Sequence, residues 1–216
     1  MLDLYYKRGK RYYSIAWIRI GTFLLPLLLG VFRKTKITKV EGSFPKKSGN
    51  LIVPHHEAWE DPVVLILAAK RRLNWVAIYS VFAREKINKT ILKKVYDWCG
   101  IMILKRGDLR QKENVFGYII DLIKKGEDVV IFPEGNLRSE RKGKKFGNFY
   151  NGVMQVVEKA KKDFKTEVPI VPIGLNYKYL KNKKTVDVKI ANKIIFRRYD
   201  EKALNFLEDK IIELSS

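Results

Sequence analysis

Thiol and imidazole are almost missing from this chain: Cys99, His55 and His56 are the whole supply in 216 residues. One thiol excludes an internal disulfide or a redox pair, and Cys99 with two imidazoles is too little for a zinc cluster. Adjacent histidines also tend to point apart, which argues against a metal held between them. The G-x-S-x-G elbow, the P-loop and the G-x-G-x-x-G fingerprint are absent, as are internal repeats, low-complexity segments and any linker long enough to separate domains. Acids are scarce too, with 23 Asp and Glu against 44 Lys and Arg and a formal net charge of +21. That imbalance points to an anionic partner, whether nucleic acid, an acidic membrane surface or a phosphorylated substrate.

What is present is a foldable chain. The apolar fraction is 46% and the aromatic fraction 12%, enough for one core in a chain below the roughly 250 residues at which domains begin to split. Residues 12–32 read "YYSIAWIRIGTFLLPLLLGVF". A bilayer span needs about 20 apolar residues, and Ser14, Arg19, Gly21, Thr22 and Pro26 interrupt this one. Lys7, Arg8, Lys10 and Arg11 precede it, while Arg33, Lys34, Lys36 and Lys39 follow, so both ends favour the cytoplasmic side. We therefore expect residues 1–33 to form a helical, membrane-associating segment lying in one leaflet, with Gly21 and Pro26 as places to bend. A helix of the domain core is the plainer alternative. No small-x-small cleavage site follows the run, so a signal peptide is not expected.

Beyond it, apolar runs of strand length alternate with amphipathic stretches. Strands are expected at "KITKVEG", "NLIVP", "NWVAIYS", "GIMIL", "DVVIF", "PIVPIGL" and "TVDVKI", and helices over 62–73, 84–98, 109–125, 152–162 and 201–214. The alternation predicts a single α/β domain over 34–216, a mixed central sheet flanked by helices. Residues 138–147 are expected to form a basic, glycine-bearing loop.

Both histidines fall in "LIVPHHEAWEDPVVL", between a strand and a helix. On a continuous helix His56 and Asp61 would point about 140° apart, so they meet only across a loop. Asp61 before Pro62 and an apolar run reads as an N-cap with proline at the first helical position. The loop can then fold His56 back onto the Asp61 carboxylate. A carboxylate on one ring nitrogen fixes the tautomer and leaves the other to take a proton, the base and orienter of a catalytic triad with a substrate hydroxyl as the nucleophile. The plainer arrangement has Asp61 as a cap and His56 as packing. "HEAWE" lacks the second histidine of a metalloprotease helix, Glu60 standing in its place.

"VVIFPEGNLRSE" places Glu134 78 residues after His56. Its apolar strand runs into a sharp Pro133-Glu134-Gly135 turn at a strand's carboxyl end, where open α/β sheets bind ligands. "HEAWED" and "FPEG", the latter followed by Arg138 and Ser139, together resemble the glycerolipid acyltransferase family, of which the 1-acyl-sn-glycerol-3-phosphate acyltransferases are the best known members. "GIMILKRGD" is similar to the family's second motif, with Arg106 at its arginine position, and "VPIVPIGL" to its fourth, with Pro172 at its proline position.

The resemblance implies transfer of an acyl group from a thioester, carried by coenzyme A or acyl carrier protein, to a lysophospholipid hydroxyl, lysophosphatidic acid giving phosphatidic acid. It makes His56 the base and Asp61 its partner, with no metal or cofactor. Arg106 becomes a phosphate clamp, Glu134 and Gly135 shape the acceptor's glycerol site, and Arg138 is a second basic contact. The protein would work on anionic lipids at the cytoplasmic face of a membrane, as a monotopic or peripheral enzyme without a nucleic-acid partner. Departures from the family pattern are His55 where asparagine is frequent, Asn136 and Leu137 ahead of Arg138, and Lys105 where an acid is common. The residues alone also admit Arg106 as a solvated cation, Glu134 as an acceptor for turn donors and Pro172 as the shaper of an edge or bulge. Another lysolipid acceptor, such as a lyso-ornithine lipid, or a non-catalytic basic lipid-binding protein are the alternative functions.

Overall fold

The computed structural model describes residues 35–78, 100–104, 107–135, 146–180 and 183–216. The expected N-terminal segment, the helix over 84–98 and most of the basic loop over 138–147 lie outside them. The described elements run β1 (Thr35–Glu41), β2 (Leu51–Pro54), α1 (Asp61–Ala69), β3 (Asn74–Ile78), β4 (Ile101–Leu104), α2 (Leu109–Lys124), β5 (Val129–Ile131), α3 (Gly152–Phe164), β6 (Ile170–Leu180), β7 (Lys183–Ile190) and α4 (Glu201–Leu214). The strands form one seven-stranded sheet in the order β1-β7-β6-β2-β5-β3-β4. Neighbours from β6 through β2, β5 and β3 to β4 are parallel. β7 runs antiparallel to β6, and β1 pairs parallel to β7. The α/β architecture with a mixed sheet is as expected.

Burial on both faces explains the central strands. Leu51, Ile52 and Val53 of β2 are wholly buried, as a continuous apolar run in a parallel sheet must be when helices cover both sides. Leu51 and Val53 join a core with Val115, Ile119 and Ile120 of α2, Val153 and Val157 of α3, and Leu207 and Ile211 of α4. Ile52 faces the other way, into a cluster with Val64 and Leu65 of α1 and with Ile173 and Val188. α1 therefore covers one face, and α2, α3 and α4 cover the other. Truncating one of these buried isoleucines to alanine costs about 2–5 kcal/mol in comparable cores.

Helix starts and stops follow local chemistry. Asp108 caps α2 by accepting from the Gln111 N–H, and Asp200 caps α4 through Ala203. α1 ends at Ala69, short of the expected 73, because Lys70 turns into the left-handed region at φ 52° and its N–H closes on the Ile66 carbonyl. α4 packs so closely on β6 that a Cβ on Gly174 would stand 2.2 Å from the Leu214 backbone, so only glycine fits there. Pro172, which has no N–H to give, sits on interior strand β6 where the register slips by one between the Ile170–Ile194 bridge and the Ile173–Ile190 pair. Proline falls at an irregularity of this kind because the ladder there asks less of it.

The connections position the site. β2 leads through α1 to β3 on one side, whereas β5 leads through α3 to β6 on the other, so adjacent strands send their chains to opposite faces. Such a switch point opens a crevice at the strands' carboxyl ends. The residues that follow β2 and β5 lie there.

Candidate active site

β2 and β5 are in register at Leu51–Val129 and Ile52–Val130, so the loop after Pro54 and the turn after Ile131 emerge side by side. The His55 N–H extends the ladder by donating to the Ile173 carbonyl at 3.0 Å. The next residue leaves the sheet. His56 places Nδ1 2.8 Å from Asp61 Oδ2, and its ring stacks on Phe132 with centroids 3.9 Å apart and planes 23° from parallel. One contact fixes the direction of the ring, and the other fixes its plane.

Asp61 has no exposed surface. A buried carboxylate is costly unless donors surround it, and four do. Oδ2 accepts from His56 Nδ1 at 2.8 Å and from the Glu57 and Ala58 N–H groups at 2.8 and 2.9 Å. Oδ1 accepts from the Tyr177 hydroxyl at 2.6 Å. Burial first, and then the Asp61 carboxylate, hold the Tyr177 hydroxyl far above its ordinary range, so it remains a donor. The expectation that Asp61 caps the helix is corrected. Glu60 occupies the N-cap position without a side-chain cap bond, and Asp61 is the first residue of α1. Its carboxylate is turned back onto the loop N–H groups that precede it, which leaves it unable to cap the N–H groups that follow.

Gly135 takes φ +60° in the turn after β5 and donates its N–H to the Phe132 carbonyl, a conformation that glycine adopts without strain. Beside it Glu134 is 1% exposed. Its Oε1 accepts from His55 Nδ1 at 2.7 Å and from the His56 N–H at 3.0 Å, and Oε2 accepts from the Gly147 N–H at 2.7 Å. The turn and the histidine loop are thus tied through this carboxylate. Of the expected site residues, His56, Asp61, Glu134 and Gly135 come together. Arg106 and Arg138 lie outside the described residues.

Residues not anticipated from the sequence complete the arrangement. His55 Nε2 lies 3.0 Å from Glu57 Oε2, and Glu57 Oε1 accepts from Tyr179 at 3.2 Å. Lys184 of β7 donates to Glu60 at 2.7 Å. Tyr177 and Tyr179 sit two apart on β6 with rings 6.1 Å apart, and that spacing is the only sequence signal that both face one way. Among the described residues no group of three or more His, Cys, Asp or Glu side chains is arranged to hold a metal ion. No described helix is long and apolar enough to cross a membrane. Chemically, an imidazole steered by one carboxylate at the mouth of a sheet can accept a proton from a hydroxyl brought to it.

Comparison with known proteins gives the family and the fold. The profile of the family described as Acyltransferase matches residues 36–176. A chloroplastic 1-acyl-sn-glycerol-3-phosphate acyltransferase of Brassica napus is 24% identical over 175 residues, covering 81% of this chain and 44% of that protein. A probable 1-acyl-sn-glycerol-3-phosphate acyltransferase of Mycoplasma genitalium is 26% identical over 140 residues, 65% of this chain and 48% of that protein. The matched region is therefore about half the length of these relatives. The crystal structure of PlsC, the 1-acyl-sn-glycerophosphate acyltransferase of Thermotoga maritima, superposes with a TM-score of 0.61 at 16% identity, over 98% of this chain and 84% of that one. At that identity the likeness speaks for the fold.

Proposed function

The chain belongs to the acyltransferase family, and from that premise we propose that it transfers an acyl group from an acyl thioester to the free hydroxyl of a lysophospholipid, foremost lysophosphatidic acid. The observation that carries the reading is the 2.8 Å contact from His56 Nδ1 to Asp61 Oδ2. With Nδ1–H donated to the carboxylate, Nε2 carries the lone pair and takes the acceptor's proton as its oxygen attacks the thioester carbonyl. The tetrahedral oxyanion collapses, the C–S bond breaks, and the thiolate recovers the proton from His56. An ester and a free thiol result. Asp61 stabilises the imidazolium between these steps, and Tyr177 keeps Asp61 in place.

Arg106 and Arg138 serve as contacts for the acceptor's phosphate, where a guanidinium offers two parallel donors. Glu134 and Gly135 shape the wall beside the acceptor's glycerol by holding the turn against the His56 loop. The thioester is carried by coenzyme A or acyl carrier protein, and no metal or other cofactor takes part. The net charge of +21 and the apolar run at residues 12–32 support work on anionic lipid at the cytoplasmic face, with 1–33 as the membrane-associating segment and 34–216 as the catalytic domain. Asn136 and Leu137, set between the Pro-Glu-Gly turn and Arg138, favour one second reading, in which the acceptor is another lysolipid such as a lyso-ornithine lipid.

The test is thioester consumption by the purified full-length protein across a panel of lysolipids, with both coenzyme A and acyl carrier protein donors. Lysophosphatidic acid should be the preferred acceptor. Arg106→Ala should raise KM for phosphate-bearing acceptors well above its effect on phosphate-free ones. No consumption with any acceptor would overturn the reading, and equal loss on both acceptor classes would remove Arg106 as a clamp.

A further inference from the structure

His55 is wholly buried, yet both of its ring nitrogens face carboxylates: Nδ1 lies 2.7 Å from Glu134 Oε1 and Nε2 lies 3.0 Å from Glu57 Oε2. A neutral imidazole has one N–H, and an ionised carboxylate only accepts. Two such contacts therefore need one proton more than a neutral ring and two carboxylates possess. That proton belongs on the ring, because imidazole is the stronger base by about two pK units. The oxygens agree with this placement. Besides His55, Glu134 accepts from the His56 and Gly147 N–H groups, and Glu57 accepts from the Tyr179 hydroxyl, so both Glu134 oxygens and one Glu57 oxygen receive another donor, as ionised carboxylates do.

We propose that His55 is a positioning residue, an imidazolium held between Glu134 and Glu57 whose charge locks the His56 loop to the Pro133-Glu134-Gly135 turn. Each of its partners touches the neighbouring pair. Glu134 accepts the His56 N–H, and the Glu57 N–H donates to the same Asp61 oxygen that holds the His56 ring. The positioning role rests on the acyl-transfer reading, while the charge of His55 does not. Among the described residues, the groups facing His55 are Glu57 on its own loop, Glu134 from the turn after β5 and the Phe146 ring at 4.7 Å. Tyr179 of β6 backs Glu57, and Lys184 of β7 is engaged with Glu60.

The two histidines then set opposite limits. His56 works as a base, with a lone pair on Nε2. His55 works when charged. Burial alone would make it lose its proton early, but the hydrogen bonds to Glu134 and Glu57 outweigh burial and hold its pKa above the usual value. As pH climbs through that raised pKa, one ring nitrogen presents a lone pair to a carboxylate and the lock fails. The fall of kcat at alkaline pH belongs to His55.

Because the chain has only two histidines, long-range nitrogen–proton spectra of the full-length protein contain two ring systems, assigned by His55→Asn. At about pH 8, well above an ordinary histidine near 6.5, the His55 ring should remain doubly protonated. Two rings that are both neutral there overturn the proposal. The second arm compares kcat–pH profiles of the wild type and the His55→Asn/Glu57→Gln variant, which removes the positive charge together with one acid. The variant should lose roughly tenfold in kcat with little change in KM, short of the 10²–10⁴-fold expected for loss of a general base, and its alkaline limb should vanish. An unchanged limb overturns the positioning role. If the variant does not fold, the wild-type spectra still decide the charge. If no lysolipid is acylated, the proposed activity fails and the spectra again decide separately.

Discussion

His55 has no exposed side-chain surface and two carboxylate partners, whereas His56, the next residue, is 17% exposed, has Asp61 as its acid and lies against the Phe132 ring. The contrast starts from geometry, since successive side chains at the end of an extended strand leave on opposite sides. One ring enters the space between the loop and the turn after β5, and the other faces the start of α1. Surroundings then assign the chemistry. A ring between two acids is held charged and cannot serve as a base, while a ring with one acid and some contact with water can cycle between neutral and charged.

Removing the acid that defines His56 is the strongest way to break this contrast short of removing the ring. Asp61→Asn should lower kcat by about 10²-fold or more, since the amide can no longer balance the imidazolium. Thioester assays with matched circular dichroism would separate this from unfolding. Tyr177→Phe should have a smaller effect. It leaves a buried oxygen of Asp61 without its 2.6 Å donor, which costs about 1–3 kcal/mol of stability, read as a lowered urea midpoint with turnover reduced and not abolished.

The smallest effect is in the pH dependence of stability and belongs to His55. A pKa raised on folding contributes stability that is fully present below the unfolded value, near 6.5, and is lost as pH rises through the folded value. Wild-type protein should therefore lose stability above about pH 6.5 relative to His55→Asn/Glu57→Gln. Parallel curves for the two proteins across that range would show that His55 carries no such linkage.

Much of this was legible in the sequence where physics is local. The apolar run at Leu51–Pro54 marked a buried strand, and amphipathic patterning marked the helices that became α2 and α4, whereas their caps, Asp108 and Asp200, were seen only in the structure. The spacing of His56 and Asp61 required a loop, and the structure has one. Asp61 misled as a cap because an acid ahead of proline is the usual sign of one, and nothing nearby in sequence shows that Glu57 and Ala58 would claim its oxygen. β6 runs on to Leu180, past the expected end at 175, because it pairs with β7 through Tyr177 and Tyr179. Tyr177 reaches Asp61 across 116 positions and Glu134 reaches His55 across 79, and contacts of that range come from sheet order, which no local pattern contains.

The central claim is that His56, steered by Asp61, takes the proton while its neighbour only positions the loop. Its most direct measurement is turnover of His56→Ala beside His55→Asn, on the same acceptor and at the same pH. The account predicts a loss of about 10²–10⁴-fold for His56→Ala and roughly tenfold for His55→Asn. The reverse order, or full activity without the His56 ring, would contradict it.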